Sequence, residues 1–438
     1  MYVEVKYDVI VVGAATTGAV AAKKVAEKGF KVLLLDSKPR ARIGDKACGD
    51  AIGEEDLKKA GVDLPQDVIR ERIVGADLIS PDERRVFRIK GYGYTVDRLG
   101  LGRALVEEAE SAGVQFLDNF PVSEPVIKDG RVQGIKGKDE YTARLVLDAS
   151  GNKTKLRPAM PEEWGIEKSV ERSDAVAAYR VIVEGLNPSL ESGYLRLYFD
   201  QVTSPGGYIW AFPEGNLSNV GLGVTMIGKY PNPKIATLEW MKKRFSGKII
   251  TGSGDTVPTR RPFGNMVGNG ILFAGDAAAT VNPVTGGGIG SGMLSAKLAA
   301  EAMAEALGEA ELPGVSELWR YNVNYMKVYG VKQAGLDVFR RFLLKLTNDD
   351  INFGMSSGLM DEEMVTEAAV TGVVRVNLQK EAELVIKGLR RPSLLLKIKQ
   401  MADDVKAAMQ IYSEYPTDPS GYPKWRERAD NFFKKLAY

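Results

Sequence analysis

The stretch YDVIVVGAATTGAVAAKKVAEKGFKVLLLD, residues 7–36, constrains the fold more than any other. YDVIVV (7–12) is a short apolar run of the kind that forms a buried strand. A glycine turn follows, then a helix of small residues, then a second apolar run, FKVLLLD (30–36). Strand, turn, helix and strand within about 30 residues predict a βαβ unit of a parallel sheet. Gly13 makes the tight turn and Gly18 allows the helix to pack closely on the strand. Asp36 ends the second strand, where such units hold a ribose. The helix start, Ala15, Thr16 and Thr17, offers backbone N–H groups to a pyrophosphate. Ala15 stands where the fingerprint has its middle glycine, so the match is incomplete. The context of strand, helix and Asp36 still favours dinucleotide binding over an ordinary crossover.

A second glycine-rich segment lies far downstream, GNGILFAGDAAATVNPVTGGGIGSGMLSAKLAAEAMAEAL (268–307). ILFAGD reads as a buried strand ending in Asp276, whose carboxylate can hydrogen-bond a polyol. NPVTGGGIGSG, with Gly287, Gly288 and Ile289, is a loop opening onto an alanine-rich helix. Backbone N–H groups at such a start can approach an anion or an electron-rich ring. From Pro262 to Ala296 the only charge is Asp276. The many glycines argue against a spanning helix there, and no run of about 18 apolar residues occurs elsewhere.

Composition removes several chemistries. The 438 residues contain no histidine and one cysteine, Cys48. A Ser-His-Asp triad, a Cys-His pair and an imidazole metal site are excluded, and no metal is expected. One cysteine rules out an internal disulfide and fits a reducing compartment. A net charge of +2, with 26% charged residues, gives no sign of a nucleic-acid partner. The N-terminus has no clear signal-peptide pattern. A cytoplasmic location is expected.

The opening βαβ, the LDASG of 147–151 and GDAAATVNPVTGGGIGSG together resemble the FAD-dependent hydroxylase-type superfamily. The resemblance implies that Asp276 contacts the ribityl chain and that Gly288 and Ile289 lie beside the flavin. VDR (96–98), before a helix, implies Arg98 near the cofactor and Val122 near its adenine side. Two further stretches, GDKACGDAI (44–52) and SPGGYIWAFPEGNLSNVGLGV (204–224), resemble the geranylgeranyl reductase family, in particular its archaeal branch. That branch saturates the isoprenoid chains of ether-lipid precursors. TRRPFGNMVGNGILFAGD and residues 329–355 support the same branch, and the likeness covers essentially the whole chain.

The residues themselves agree with this. YIWAFP alternates like a strand, with Tyr208, Trp210 and Phe212 on one face. Three aromatics on one face suit either an apolar tunnel or a core face, and the resemblance favours a tunnel for a polyprenyl chain. NVGLGV reads as the neighbouring antiparallel strand, with Gly221 and Gly223 where a ligand or a backbone approaches.

The expected fold is α/β. It has a Rossmann-like FAD-binding domain from 1–60, 95–160 and 262–310, an inserted antiparallel sheet from 61–94 and 165–261, and a helical region over 311–438. The resemblance places Ala47, Cys48 and Gly49 at the reacting face of the flavin. The reaction it implies needs a hydride from reduced flavin and a proton. Cys48, Asp50, Tyr208 and water are the candidate proton sources. The substrate is expected to be a geranylgeranylated lipid or diphosphate. A ferredoxin-like protein and NAD(P)H both remain open as electron donor. A flavin monooxygenase, a halogenase and a non-enzymatic prenyl-lipid carrier are the alternatives. KGLRRPSLLLKIK (387–399) combines basic and apolar residues, which suits either peripheral contact with the inner membrane face or a solvated helix face over a core.

Overall fold

The computed structural model describes residues 6–184, 191–244, 247–371 and 391–436. Two eight-stranded sheets carry the structure. At the centre of the first, Tyr7–Val12 runs parallel to Val32–Leu35 on one side and to Glu140–Asp148 on the other. Val12 pairs with Leu35 and with Asp148. Gln115–Leu117 and Ile271–Phe273 extend this parallel core outward. Strands Tyr7–Val12 and Val32–Leu35 are short and, apart from Asp8, buried along their whole length, which is why they read as nearly unbroken apolar runs.

Helices Thr16–Ala26, Arg98–Ser111 and Ile289–Glu309 pack around this sheet. Thr16–Ala26 and Ile289–Glu309 lie against one another through small residues. A side chain at Gly18 would stand 1.7 Å from the Gly13 carbonyl oxygen, so the helix starts as close to the first strand as a backbone allows. Gly13 itself has φ +99°, which L side chains rarely adopt. Each fully buried Val, Leu or Ile in this core contributes about 1.5–3 kcal/mol. The expected βαβ unit is therefore present, parallel and buried.

The second sheet runs in the order Ile249–Pro258, Ala175–Glu184, Leu217–Thr225, Ile209–Glu214, Tyr194–Tyr198, Ile69–Ile79, Val86–Val96, Ala51–Gly53. Its pairs are antiparallel with one exception. Tyr194–Tyr198 runs parallel to Ile69–Ile79. The edge strand Ala51–Gly53 directly follows the Cys48 loop and ties that loop to this sheet. The hairpin of Ile209–Glu214 and Leu217–Thr225 sets Trp210 opposite Gly221, and Phe212 opposite Asn219.

The C-terminal part is helical: Val315–Tyr325, Val331–Leu343, Asn348–Ser357, Glu362–Thr371, Pro392–Ser413 and Tyr422–Lys435. The first two are joined by a π turn, Met326–Gly330. Residues 387–390 of the basic stretch lie outside the described residues. Within the remainder, Leu394 and Ile398 are buried and Leu396 faces outward. Among the described residues no helix is long and apolar enough to cross a membrane.

Candidate active site

One cavity of about 980 Å³ joins the two sheets and the helical region. At one end it is lined by Gly13, Ala15, Thr16, Thr17, Asp36 and Val122. Asp36 is held in place from both sides. Its Oδ2 accepts from the Ala14 N–H and its Oδ1 from the Lys38 N–H, each at 2.8 Å. Gly18 is not in the cavity wall and serves packing.

Arg98, Gly287, Gly288 and Ile289 line the middle of the cavity. Arg98 is the first residue of its helix. Asp97 caps that helix by accepting from the N–H groups of Leu99 and Gly100, so the VDR triplet is a strand end, a cap and a side chain turned inward. Asp276 does not end the strand Ile271–Phe273. It sits in the following 3-10 turn, Gly275–Ala278, because the chain must bend before the glycine loop. There it forms an ion pair with Lys46, a residue that sequence reading passed over.

The loop at 44–50 faces the same space. Ala47, Cys48, Gly49 and Asp50 all line it. Asp50 has φ +55°, a left-handed conformation that Asp tolerates better than most residues. Its N–H donates to Cys48 Sγ at 3.3 Å, closing a tight turn. A side chain at Gly49 would lie 2.6 Å from the Phe212 ring, so the loop rests directly on the aromatic strand.

Tyr208, Trp210 and Phe212 line the cavity from that strand, with successive ring centroids 6.1 and 6.5 Å apart. The Tyr208 hydroxyl donates to the Thr285 carbonyl, joining the strand to the glycine loop. Beyond them the walls become apolar. Phe87, Ile89, Leu195 and Leu197 come from the second sheet, Leu336, Phe339, Leu343 and Met355 from the helices, and Phe199 and Met360 from the segments that follow them. Gly221 and Gly223 are a correction: neither lines the cavity. A Cβ at Gly221 would stand 2.3 Å from Trp210, and one at Gly223 2.8 Å from Val176. They make room for the wall rather than forming it.

Behind the loop lies a buried polar cluster that sequence reading missed. Asn219, fully buried, sits between Cys48, Asp50 and Glu214. Arg98 Nε is 3.6 Å from Asp50 Oδ1, and Arg180 Nη2 is 3.9 Å from Asp50 Oδ2. Arg180 pairs with Gly221 across strands, on the face shared by Trp210 and Asn219. Strand alternation from Trp210 could have flagged Phe212, Asn219 and Glu214 together. Removal from water pushes Asp50 up to about 6, against the pull of Arg98 and Arg180. Removal from water, reinforced by the charge of Asp50, pushes Cys48 up to about 11, so the thiol stays neutral. Burial also drives the Tyr208 phenol above its usual range.

The cavity suits a flavin dinucleotide. Helix Thr16–Ala26 begins at Ala15 with no side-chain cap, and helix Ile289–Glu309 begins at Gly288 in the same way. Both starts face the cavity. Two arginine atoms, Arg98 Nε and Nη1, are buried there without a hydrogen-bond partner.

Over residues 174–254 the chain matches the model of the geranylgeranyl reductase catalytic domain. A digeranylgeranylglycerophospholipid reductase of Sulfolobus acidocaldarius is 38% identical to it, over 98% of this chain and 97% of that one. The chain belongs to the geranylgeranyl reductase family. A reductase of the same description from Methanosarcina mazei is 33% identical over 65% of this chain and 72% of its own. Among solved structures, a geranylgeranyl bacteriochlorophyll reductase-like protein from Thermoplasma acidophilum superposes with a TM-score of 0.75 at 22% identity. It covers 90% of this chain and 99% of that one. A myxobacterial FAD-dependent chondrochloren halogenase superposes with a TM-score of 0.63 at 19% identity, over 87% of this chain and 96% of its own. The geranylgeranyl reductase family thus shares its fold with flavin halogenases, and the segment matched by the family model spans the Tyr208–Phe212 strand.

Proposed function

We propose that this chain is an FAD-dependent reductase that saturates C=C bonds in the geranylgeranyl chains of ether-lipid precursors. One observation carries the reading. A single cavity passes from two uncapped helix starts, along the Cys48 loop, into an apolar channel. A dinucleotide fits the first part and a polyprenyl chain the last.

Gly13, Ala15, Thr16 and Thr17 would hold the pyrophosphate, Asp36 the adenosine ribose and Asp276 the ribityl chain. Gly287, Gly288 and Ile289 would flank the ring system. Lys38 lies two residues beyond Asp36 in the cavity wall and favours a phosphate near that end. A reduced flavin, when bound, supplies the hydride. The chain then has three tasks. Tyr208, Trp210 and Phe212 position the double bond, the apolar walls exclude water, and Cys48 delivers a proton to the second alkene carbon. A neutral thiol is cheaper to keep in an apolar site than a charged acid. Tyr208 is the weaker candidate because its hydroxyl is engaged with Thr285.

Reducing equivalents come from a ferredoxin-like protein or from NAD(P)H, and anaerobic reduction by each in turn decides between them. A lipid substrate supports peripheral contact with the membrane. The test of function is direct. The purified flavoprotein, reduced with dithionite without oxygen and given geranylgeranyl lipid, should yield products heavier by successive pairs of hydrogens. Unchanged lipid with flavin that stays reduced would refute the activity.

A further inference from the structure

Asn219 is short of hydrogens. Its Oδ1 accepts from the Trp210 indole N–H at 2.9 Å. An indole nitrogen only donates, so the amide orientation is fixed. The Nδ2 therefore faces three acceptors, each at 3.0 Å: the Cys48 carbonyl, Asp50 Oδ2 and Glu214 Oε1. An amide nitrogen carries two hydrogens. One of the three acceptors is left over, in a place where an unsatisfied carboxylate is costly. A proton on the carboxyl pair removes the conflict. Asp50 is 2% exposed and Glu214 5%.

We propose that Glu214 is a proton store, acting through Asp50 to reload the Cys48 thiol between turnovers. The inference rests on the reading of Cys48 as proton donor. The steps balance without any further reagent. The S–H bond of Cys48 breaks as the new C–H bond forms. The proton of Glu214 passes to Asp50 and on from Asp50 to the thiolate, and solvent restores Glu214. The facing oxygens of Asp50 and Glu214 lie no more than about 6 Å apart, since each is 3.0 Å from one nitrogen. The Cys48 thiol and the Asp50 carboxyl are joined by a side-chain hydrogen bond.

The surroundings suit a store that empties and fills near neutrality. Glu214 feels Asp50 from the loop, Arg180 from strand Ala175–Glu184 and Arg70 from strand Ile69–Ile79. Asp50 feels Arg98 and Arg180 as cations, and Asp97 and Cys48 besides. Burial pushes Glu214 up to about 7. Transfer from such a group to a thiol that titrates near 11 runs downhill.

The test compares Glu214→Gln, Glu214→Asp and Cys48→Ala, each as holoenzyme. Glu214→Gln should complete the first reduction in a pre-reduced single turnover at close to the wild-type rate. Its steady-state rate should fall about tenfold and lose its dependence on pH near 7. Glu214→Asp should restore part of both. Independently of activity, the infrared band of a protonated carboxyl should titrate near neutrality in the wild type and vanish in Glu214→Gln. An unchanged steady state and pH profile in Glu214→Gln would overturn the proposal, and so would equal losses in single and multiple turnover. If Cys48→Ala keeps its first-turnover rate, the reading of Cys48 fails instead, whatever Glu214 does.

Discussion

Lys46 and Asp276 form an ion pair across the cavity, 230 positions apart in the chain. It holds the Cys48 loop against the turn that precedes the glycine-rich helix. Two segments that would flank the flavin from opposite ends of the sequence are thereby fastened to each other. Lys46 is thus a tether for the loop, and Asp276 is the shared anchor. Asp276→Ala removes both the anchor and the expected ribityl contact. The purified variant should lose most of its yellow colour, measured as flavin absorbance per protein. Full occupancy in that variant would count against Asp276 as a cofactor ligand.

The two roles open to Cys48 are separable. Cys48→Ser keeps a protic group of similar size and Cys48→Ala does not. If the thiol delivers the proton, both variants bind FAD, and Ala loses turnover about a hundredfold or more relative to Ser, within the range usual for a general acid. Equal, near-wild-type rates would leave Cys48 as packing.

Gly221 is expected to be intolerant for a steric reason. A methyl group there meets the Trp210 ring at 2.3 Å and the Tyr179 carbonyl oxygen at 2.6 Å. The carbonyl belongs to the paired strand and cannot yield easily. Gly221→Ala should destabilise the fold by about 1–3 kcal/mol. It should also displace Trp210 and change the pattern of reduced bonds. Thermal melting and product mass spectra measure the two effects. A variant that melts and reduces like wild type would show that Trp210 has slack.

Stability should depend on pH through Glu214. In the unfolded chain this carboxyl releases its proton near the usual 4.5, while the folded protein retains it to about 7. Between those values the folded state binds more protons than the unfolded one, so stability falls as pH rises through the interval. The loss amounts to at most about 3 kcal/mol. Glu214→Gln removes the group, so its melting temperature should decline less than that of wild type between pH 5 and pH 8. Identical slopes would mean that Glu214 is not protonated in the folded protein.

The βαβ unit, the second glycine loop and the aromatic strand were legible because each is local. Their signals are periodicity, turn glycines and a single acidic residue at a strand end. The antiparallel partner of 208–212 was legible for the same reason. Lys46, Arg180, Asn219 and Glu214 were not, because their meaning arises from contacts between distant segments. Arg180 and Asp50 are 130 positions apart and meet only once the second sheet, with the Cys48 loop at its edge, has formed. Gly221 and Gly223 were placed on the correct strand, with the choice between a ligand and a backbone neighbour left open. A glycine signals that something comes close, and only packing reveals whether that is a ligand or a neighbouring ring. The parallel pairing of Tyr194–Tyr198 with Ile69–Ile79 left no local trace either, since it depends on how distant chain segments cross.

The Cys48 loop provides one reacting position, while the apolar channel beyond Trp210 is long. A polyprenyl chain carries several equivalent double bonds, and hydrocarbon contacts impose no fixed register along such walls. Each bond must therefore be presented by sliding the chain one isoprene repeat through a stationary reaction point. The channel then acts as a ruler. Partially reduced lipids should form a nested series, with bonds lost in order from one end.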